Sequence, residues 1–100
     1  MYETMDELED SVRRRLYRMR DLSDRMAAVR ARETSPDEMI TVEVDGNGAL
    51  LSLELSESIS RLSPDEFESR LVDAAMAAAR RAFTERGDLI NEFNDQMREA

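Results

Sequence analysis

Met39-Ile40-Thr41-Val42-Glu43-Val44-Asp45-Gly46-Asn47-Gly48-Ala49-Leu50-Leu51-Ser52-Leu53-Glu54-Leu55 alternates apolar and polar side chains on both sides of a turn that carries two glycines. Ile40, Val42 and Val44 share one strand face, and Thr41 and Glu43 take the other. Leu51, Leu53 and Leu55 share a face opposite Ser52 and Glu54. Asp45-Gly46-Asn47-Gly48 consists of residues that tolerate positive φ, so the stretch reads as a β-hairpin. A loop at Gly46-Asn47 pairs Val42 with Leu51 and Ile40 with Leu53. A loop at Asn47-Gly48 shifts those pairs and still keeps both apolar sets on one face. Both registers remain open from sequence. Two strands are only marginally stable by themselves. A third is therefore expected, and Ala31 to Ser35 is the room for it before Pro36.

Outside the hairpin the period changes to that of helices. Met1, Met5, Leu8, Val12, Arg15, Met19, Leu22, Met26 and Val29 are spaced alternately four and three apart, a heptad seam interrupted at Arg15. Arg15 reads either as a polar layer that fixes register or as a point where the seam is already in solvent and Leu16 turns in. A helix from Thr4 to Arg32 would be ~43 Å long, whereas a compact domain of this size has a radius of gyration of ~13 Å. Such a helix must project or lie against another chain. Downstream, Ser63-Pro64-Asp65-Glu66 is a capping box with Pro at the first helical position. Ser35-Pro36-Asp37-Glu38 repeats it, but a period-2 segment follows, so the second copy in the chain starts a helix and the first does not. Phe67, Leu71, Ala75, Ala78 and Ala82 form one stripe. Met76, Ala79, Phe83, Arg86, Ile90, Phe93 and Met97 form a neighbouring one that continues in phase past Gly87.

The fold class is therefore α+β over a single domain, residues 1–100: a long helix, a small antiparallel sheet of two to three strands, and a second long helix. Three Phe and two Tyr, with few branched aliphatics, make a thin core for such long helices. A homodimer that shares seams and sheet edges is the natural remedy.

Composition excludes much chemistry. The 100 residues contain no Cys, no His and no Trp. Thiol nucleophiles, imidazole bases, disulfides and the usual zinc sites are impossible. The close carboxylates Asp6-Glu7, Glu9-Asp10 and Asp65-Glu66 lie on polar faces or at a helix start, where they favour the helix dipole. Asp45 to Gly48 lacks calcium-loop spacing, and three glycines make no phosphate loop. An enzyme is not expected, and no cofactor is implied. The first residues are acidic and resemble no signal peptide. The apolar run Ala74 to Ala79 is far short of the ~20 residues that span a bilayer. A soluble, cytoplasmic protein without a membrane partner is the expectation.

All 14 basic residues are Arg, and the net charge is −9. Residues 1–36 hold eight Arg and eight acids, residues 37–63 carry a net −5, and residues 64–100 a net −4. An anion-binding surface therefore belongs in the first third. On a helix, Arg18, Arg25 and Arg32 fall at one position, about 10.5 Å per step. Arg14 lies one turn before Arg18, and Arg13 and Arg20 make a second row. Guanidinium groups in register along a rod suit phosphate oxygens. The rows are read as free of aromatic stacking residues, which favours duplex over single-stranded DNA. The plainer alternative is a solvated face stitched by Asp10–Arg14, Asp21–Arg25 and Arg20–Asp24 pairs. The apolar-stripe methionines Met5, Met19, Met26, Met76 and Met97 suit a core or an adaptable binding surface.

The segments Met39 to Gly46, Leu51 to Leu55 and Leu71-Val72-Asp73-Ala74-Ala75-Met76-Ala77-Ala78-Ala79-Arg80-Arg81-Ala82, in that order, resemble the YbaB/EbfC family of bacterial nucleoid-associated proteins; the all-Arg usage and the Ser-Pro-Asp turn look like its actinobacterial members. The resemblance covers nearly the whole chain. It implies an α-β-β-β-α subunit, a tight homodimer with central sheets and projecting helices, and duplex DNA bound with little sequence preference in the nucleoid. Carried onto this chain, DNA contact would rest on Arg13, Arg14, Arg18, Arg20, Arg25, Arg32, Arg80 and Arg81. The chain departs from the family in having no Lys and an acidic balance. Some actinobacterial relatives are associated with type VII secretion, so a protein-interaction adaptor or chaperone-like dimer is the alternative that the resemblance carries.

Overall fold

A computed structural model describes residues 3–99, with elements in the order α1 (Met5–Ala27), β1 (Arg30–Thr34), β2 (Ile40–Asp45), β3 (Leu50–Leu55), a 3-10 turn (Glu57–Arg61) and α2 (Pro64–Glu99). Met1, the first position of the heptad seam, lies outside the described residues. The α-β-β-β-α order stands as expected, with β2 in the centre of an antiparallel sheet ordered β1-β2-β3.

The third strand is real, and it corrects the helix before it. α1 stops at Ala27, not Arg32. Arg32 therefore sits on β1, opposite Glu43, and leaves the helical row with Arg18 and Arg25. Ala, Arg and Glu all favour helix locally. Here sheet pairing outweighs that preference, because Val29 and Ala31, two apart, are both buried in the core. The Arg30 guanidinium donates to the carbonyls of Ala27 (3.1 Å) and Val29 (2.7 Å), which satisfies acceptors left open where the helix ends.

The hairpin uses the second of the two registers for its body and a longer turn at its tip. Ile40 faces Leu55, Thr41 faces Glu54, Val42 faces Leu53 and Glu43 faces Ser52; beyond a bulge, Val44 faces Leu50. The turn has three residues, with Asp45 N–H donating to Ala49 O and Gly48 N–H to Asp45 O, each at 3.0 Å. Gly48 takes φ +80° there, which a side chain would resist. The bulge absorbs the one-residue difference between tip and body.

The two Ser-Pro-Asp-Glu segments diverge as anticipated. Ser63 and Glu66 cap α2 reciprocally, through Glu66 N–H to Ser63 Oγ (3.1 Å) and Ser63 N–H to Glu66 Oε1 (3.2 Å). Ser35 to Glu38 instead makes the β1–β2 turn. Ser35 N–H donates to Ile40 O and Glu38 N–H to Ser35 O, both at 2.8 Å. α2 then runs through Gly87 without interruption.

One helix covers the sheet. Ala74, Ala78 and Ala82 of α2 are buried against Ile40, Val42 and Val44, with Val29 and Ala31 at the side and Phe67 and Leu71 packed on the edge. Small Ala side chains let helix and sheet approach closely. α2 lies over β1 and β2, so Leu53 and Leu55 of β3, on the same sheet face, remain 39% and 43% exposed. The C-terminal half of α2 leaves the sheet beside α1, antiparallel to it, as a two-helix arm. The molecule measures 71 × 18 × 15 Å, with a radius of gyration of 20.5 Å.

Only the C-terminal end of the heptad seam, Leu22, Met26 and Val29, turns inward; its N-terminal part does not face α2. α1 turns Ser11, Arg18, Leu22 and Met26 to the less exposed side, whereas Met5, Leu8, Val12, Leu16 and Met19 stand on an exposed flank. At 100° per residue that flank is rotated about a quarter turn from the α2-facing line. Leu16 does not turn in, and Met76, Phe83 and Ile90 of α2, seven apart, are exposed as well.

Candidate nucleic-acid interface

The eight arginines singled out from sequence do not form one surface. Arg18 and Arg25 serve the joint between the helices of the arm. Arg18 donates to Gln96 O at 3.3 Å. Arg25 makes a two-pronged bridge to Glu92 (3.1 and 3.3 Å), while Asp21 is 3.9 Å away. The Glu92 hydrogen bond and charge hold the Arg25 guanidinium still more firmly protonated than usual. Arg32 projects from the far face of the sheet, 2.7 Å from Glu54 and 3.9 Å from Glu43. Arg81 reaches across β1, donating to Arg32 O (2.9 Å) and Glu33 (3.0 Å). These four are tied to their own chain.

Arg13, Arg14, Arg20 and Arg80 are different. None makes an ion pair among the described residues. The helical pairs Asp10–Arg14 and Arg20–Asp24, which would have made this an ordinary solvated face, are not formed. Arg13 and Arg20 lie seven apart, on the side of α1 turned from α2, and Arg14 flanks them. Arg80 stands apart, on the sheet-covering half of α2.

A local signal marks the same place. Ser11-Val12-Arg13-Arg14-Arg15-Leu16-Tyr17-Arg18-Met19-Arg20 holds five Arg and no carboxylate. That is a cationic belt of about 15 Å on a helix, in a chain whose net charge is −9. Counting charge by thirds of the chain hides it, because the acids of the first third lie at both ends of α1. Arg13 to Arg20 stand roughly 10–21 Å along the helix from its end at the sheet, well out on the arm.

The expectation of an arginine surface without an aromatic is overturned at Tyr17. Its side chain is 72% exposed. With Arg13, Arg14 and Arg18 it lines an open cleft of about 380 Å³. One turn of helix separates it from Arg13 on one side and from Arg20 on the other. The sequence signal was available as a tyrosine inside the arginine run.

Elsewhere the surface suits structural work. A second cleft of about 270 Å³ lies where α1, the hairpin turn and α2 meet, lined by Met26, Arg30, Asp45, Asn47 and Arg86 among others. Arg86 donates there to Gly46 O (3.0 Å) and Asn47 Oδ1 (3.3 Å), and so holds the turn on α2. No group of three acidic side chains that could hold a metal ion occurs among the described residues. No helix among them is long and apolar enough to cross a membrane.

The family model described as YbaB/EbfC DNA-binding family matches residues 1–97. No curated protein matches the chain. A similar solved structure is the crystal structure of an uncharacterized protein, HP0035, from Helicobacter pylori. It shares 15% identity at a TM-score of 0.66, over 91% of this chain and 97% of that one. At that identity the likeness supports the fold alone.

Proposed function

We propose, from the premise that this chain belongs to the YbaB/EbfC DNA-binding family, that it acts as a homodimeric nucleoid-associated protein. The two-helix arms grip duplex DNA through arginine–phosphate contacts. The observation that carries this is the belt of α1, with five Arg and no acid over ten residues, whose Arg13, Arg14 and Arg20 have no carboxylate partner among the described residues. Guanidinium groups already bound to Glu92 or Glu54 would have to give up a partner before meeting phosphate. Those of Arg13, Arg14 and Arg20 need not. Phosphate contacts carry no base information, so binding is largely indifferent to sequence and falls with salt. The family is a DNA-binding family, not an enzyme family, and DNA as partner gives a cytoplasmic, nucleoid location.

The dimer is supported by surface that one chain leaves open. The chain exposes 7380 Å², against roughly 5,800 Å² for a compact monomer of 11.5 kDa. Leu53 and Leu55 of β3 are left uncovered, and the half-exposed Phe83 has its ring at the hairpin turn beside Gly48. A second copy on this face would close the sheet edge and complete the core.

The test is a fluorescence-anisotropy titration of two unrelated duplexes of about 30 base pairs at low salt. Similar affinities for both are expected, with a loss of about tenfold or more in Arg13→Ala/Arg14→Ala/Arg20→Ala. An unchanged triple variant would overturn the assignment. The exposed apolar flank Met5, Leu8, Val12, Leu16 and Met19 favours a second reading, an adaptor that grips a partner helix. Under it the chain binds neither duplex, and Leu8→Asp/Val12→Asp removes a protein partner.

A further inference from the structure

We infer that Tyr17 is a stacking platform for an unpaired base, so that the arm also binds single-stranded nucleic acid, with Arg13 and Arg20 on the phosphates that flank that base. The inference rests on the DNA-binding reading above and adds a ligand class that duplex contacts do not need.

Three observations meet at this point. Tyr17 is among the most exposed large side chains described, at 72%, on a helix whose other aromatic-free faces are polar or aliphatic. Water-exposed aromatic area of this kind is costly to leave idle and is typical of residues that meet a partner. Its neighbours are cations without carboxylate partners among the described residues: Arg13 one turn before, Arg20 one turn after, and Arg14 beside it. The surface next to the ring is an open cleft bounded by Arg13, Arg14 and Arg18, and Arg18 is drawn toward α2 by its bond to Gln96 O. The ring therefore has free space beside it and positive charge on either side along the helix.

That arrangement matches the chemistry of a nucleotide whose base is unstacked. Nucleobases present a π-face of any sequence, and aromatic side chains inside a cationic groove bind them without reading their edges. Arginine adds planar donors for phosphate oxygens and can itself lie against a base. A base within intact duplex is already stacked and offers Tyr17 no face. The aromatic ring therefore contributes to single strands, gaps and frayed ends, while the arginines contribute to both forms.

The experiment compares oligothymidylate of about 30 nucleotides with a duplex of equal length, for the wild type, Tyr17→Ala and Tyr17→Phe. Wild type is expected to bind both. Tyr17→Ala weakens the single strand by roughly 5- to 150-fold and leaves the duplex within about twofold. Tyr17→Phe keeps the ring and behaves as wild type. Because the side chain is exposed, neither change threatens the fold. A direct reading comes from the Tyr2→Phe chain, which has no Trp and Tyr17 as its one tyrosine: its fluorescence falls when oligothymidylate binds. Equal losses on both ligands, no loss in Tyr17→Ala, or a wild type that binds duplex but not oligothymidylate would overturn this inference alone. A wild type that binds neither would overturn the DNA-binding reading with it.

Discussion

Ser35 and Ser63 open the same tetrapeptide, and their hydroxyls meet different groups. Ser63 Oγ accepts from Glu66 N–H and starts a helix. Ser35 Oγ donates to Asp37 and accepts from Ile40 N–H, and closes a strand turn. Asp37 also accepts from Met39 N–H at 3.0 Å and pairs with Arg70 at 2.9 Å, which ties that turn to α2. The Ser35 hydroxyl, the Met39 amide and Arg70 hold the Asp37 carboxyl below its ordinary range, and the Ser63 amide and hydroxyl do the same for Glu66. A carboxyl whose pKa is lower folded than unfolded adds stability above the unfolded value and loses it as pH falls through the folded one. The melting temperatures of wild type and Asp37→Ala/Glu66→Ala should thus differ near pH 6 and converge as pH falls below the ordinary carboxylate range. A difference that persists in acid would contradict the assignment. Glycines give a second residue-scale contrast. A Cβ at Gly87 would meet nothing within 4 Å, whereas one at Gly48, with φ +80°, would meet the Phe83 ring at 3.2 Å. Gly87→Ala should raise stability by about 0.5–1 kcal/mol. Gly48→Ala should lower it by roughly 1–3 kcal/mol, both read by thermal melts.

At the scale of elements, the hairpin and the capped start of α2 were legible because strand period, turn residues and capping box all point the same way. β1 was legible only as a vacancy before Pro36, since Arg30-Ala31-Arg32-Glu33 favours helix and only burial of Val29 and Ala31 overrides it. That override removed Arg32 from the arginine row. The partners of Arg25 and Arg81 were not legible, because Glu92 and Glu33 lie 67 and 48 residues away and no local pattern links them. The belt in α1 was legible at the right window, as was Tyr17 within it. This division predicts that Arg25→Ala and Glu92→Ala each lower the melting temperature only slightly and that the double variant loses less than the two single losses summed, as befits a half-exposed pair. The Arg13/Arg14/Arg20 variant should instead melt as the wild type does. A large stability loss in that variant would mean that these arginines hold the fold.

The whole molecule is a thin rod, 71 Å long, whose core is one small sheet under one helix. Its apolar remainder is gathered on β3, on the line Met76, Phe83 and Ile90, and on one flank of α1, rather than scattered. Pairing with a second copy, as proposed, would bury that surface. Light scattering should return twice the chain mass, and Met76→Asp should reduce it to one chain, since a half-exposed position costs a single chain little; a wild type of single-chain mass at micromolar concentration would contradict the dimer. DNA binding and the acidic balance are reconciled by position, because positive charge is concentrated in the middle of α1 while the acids lie elsewhere. The most direct measurement is the salt dependence of duplex binding, wild type beside Arg13→Ala/Arg14→Ala/Arg20→Ala. The account predicts a steep fall of log K with log salt for the wild type, flattened in the variant by about 0.9 for each phosphate contact removed. An equal slope in both proteins would show that the α1 belt is not where DNA is held.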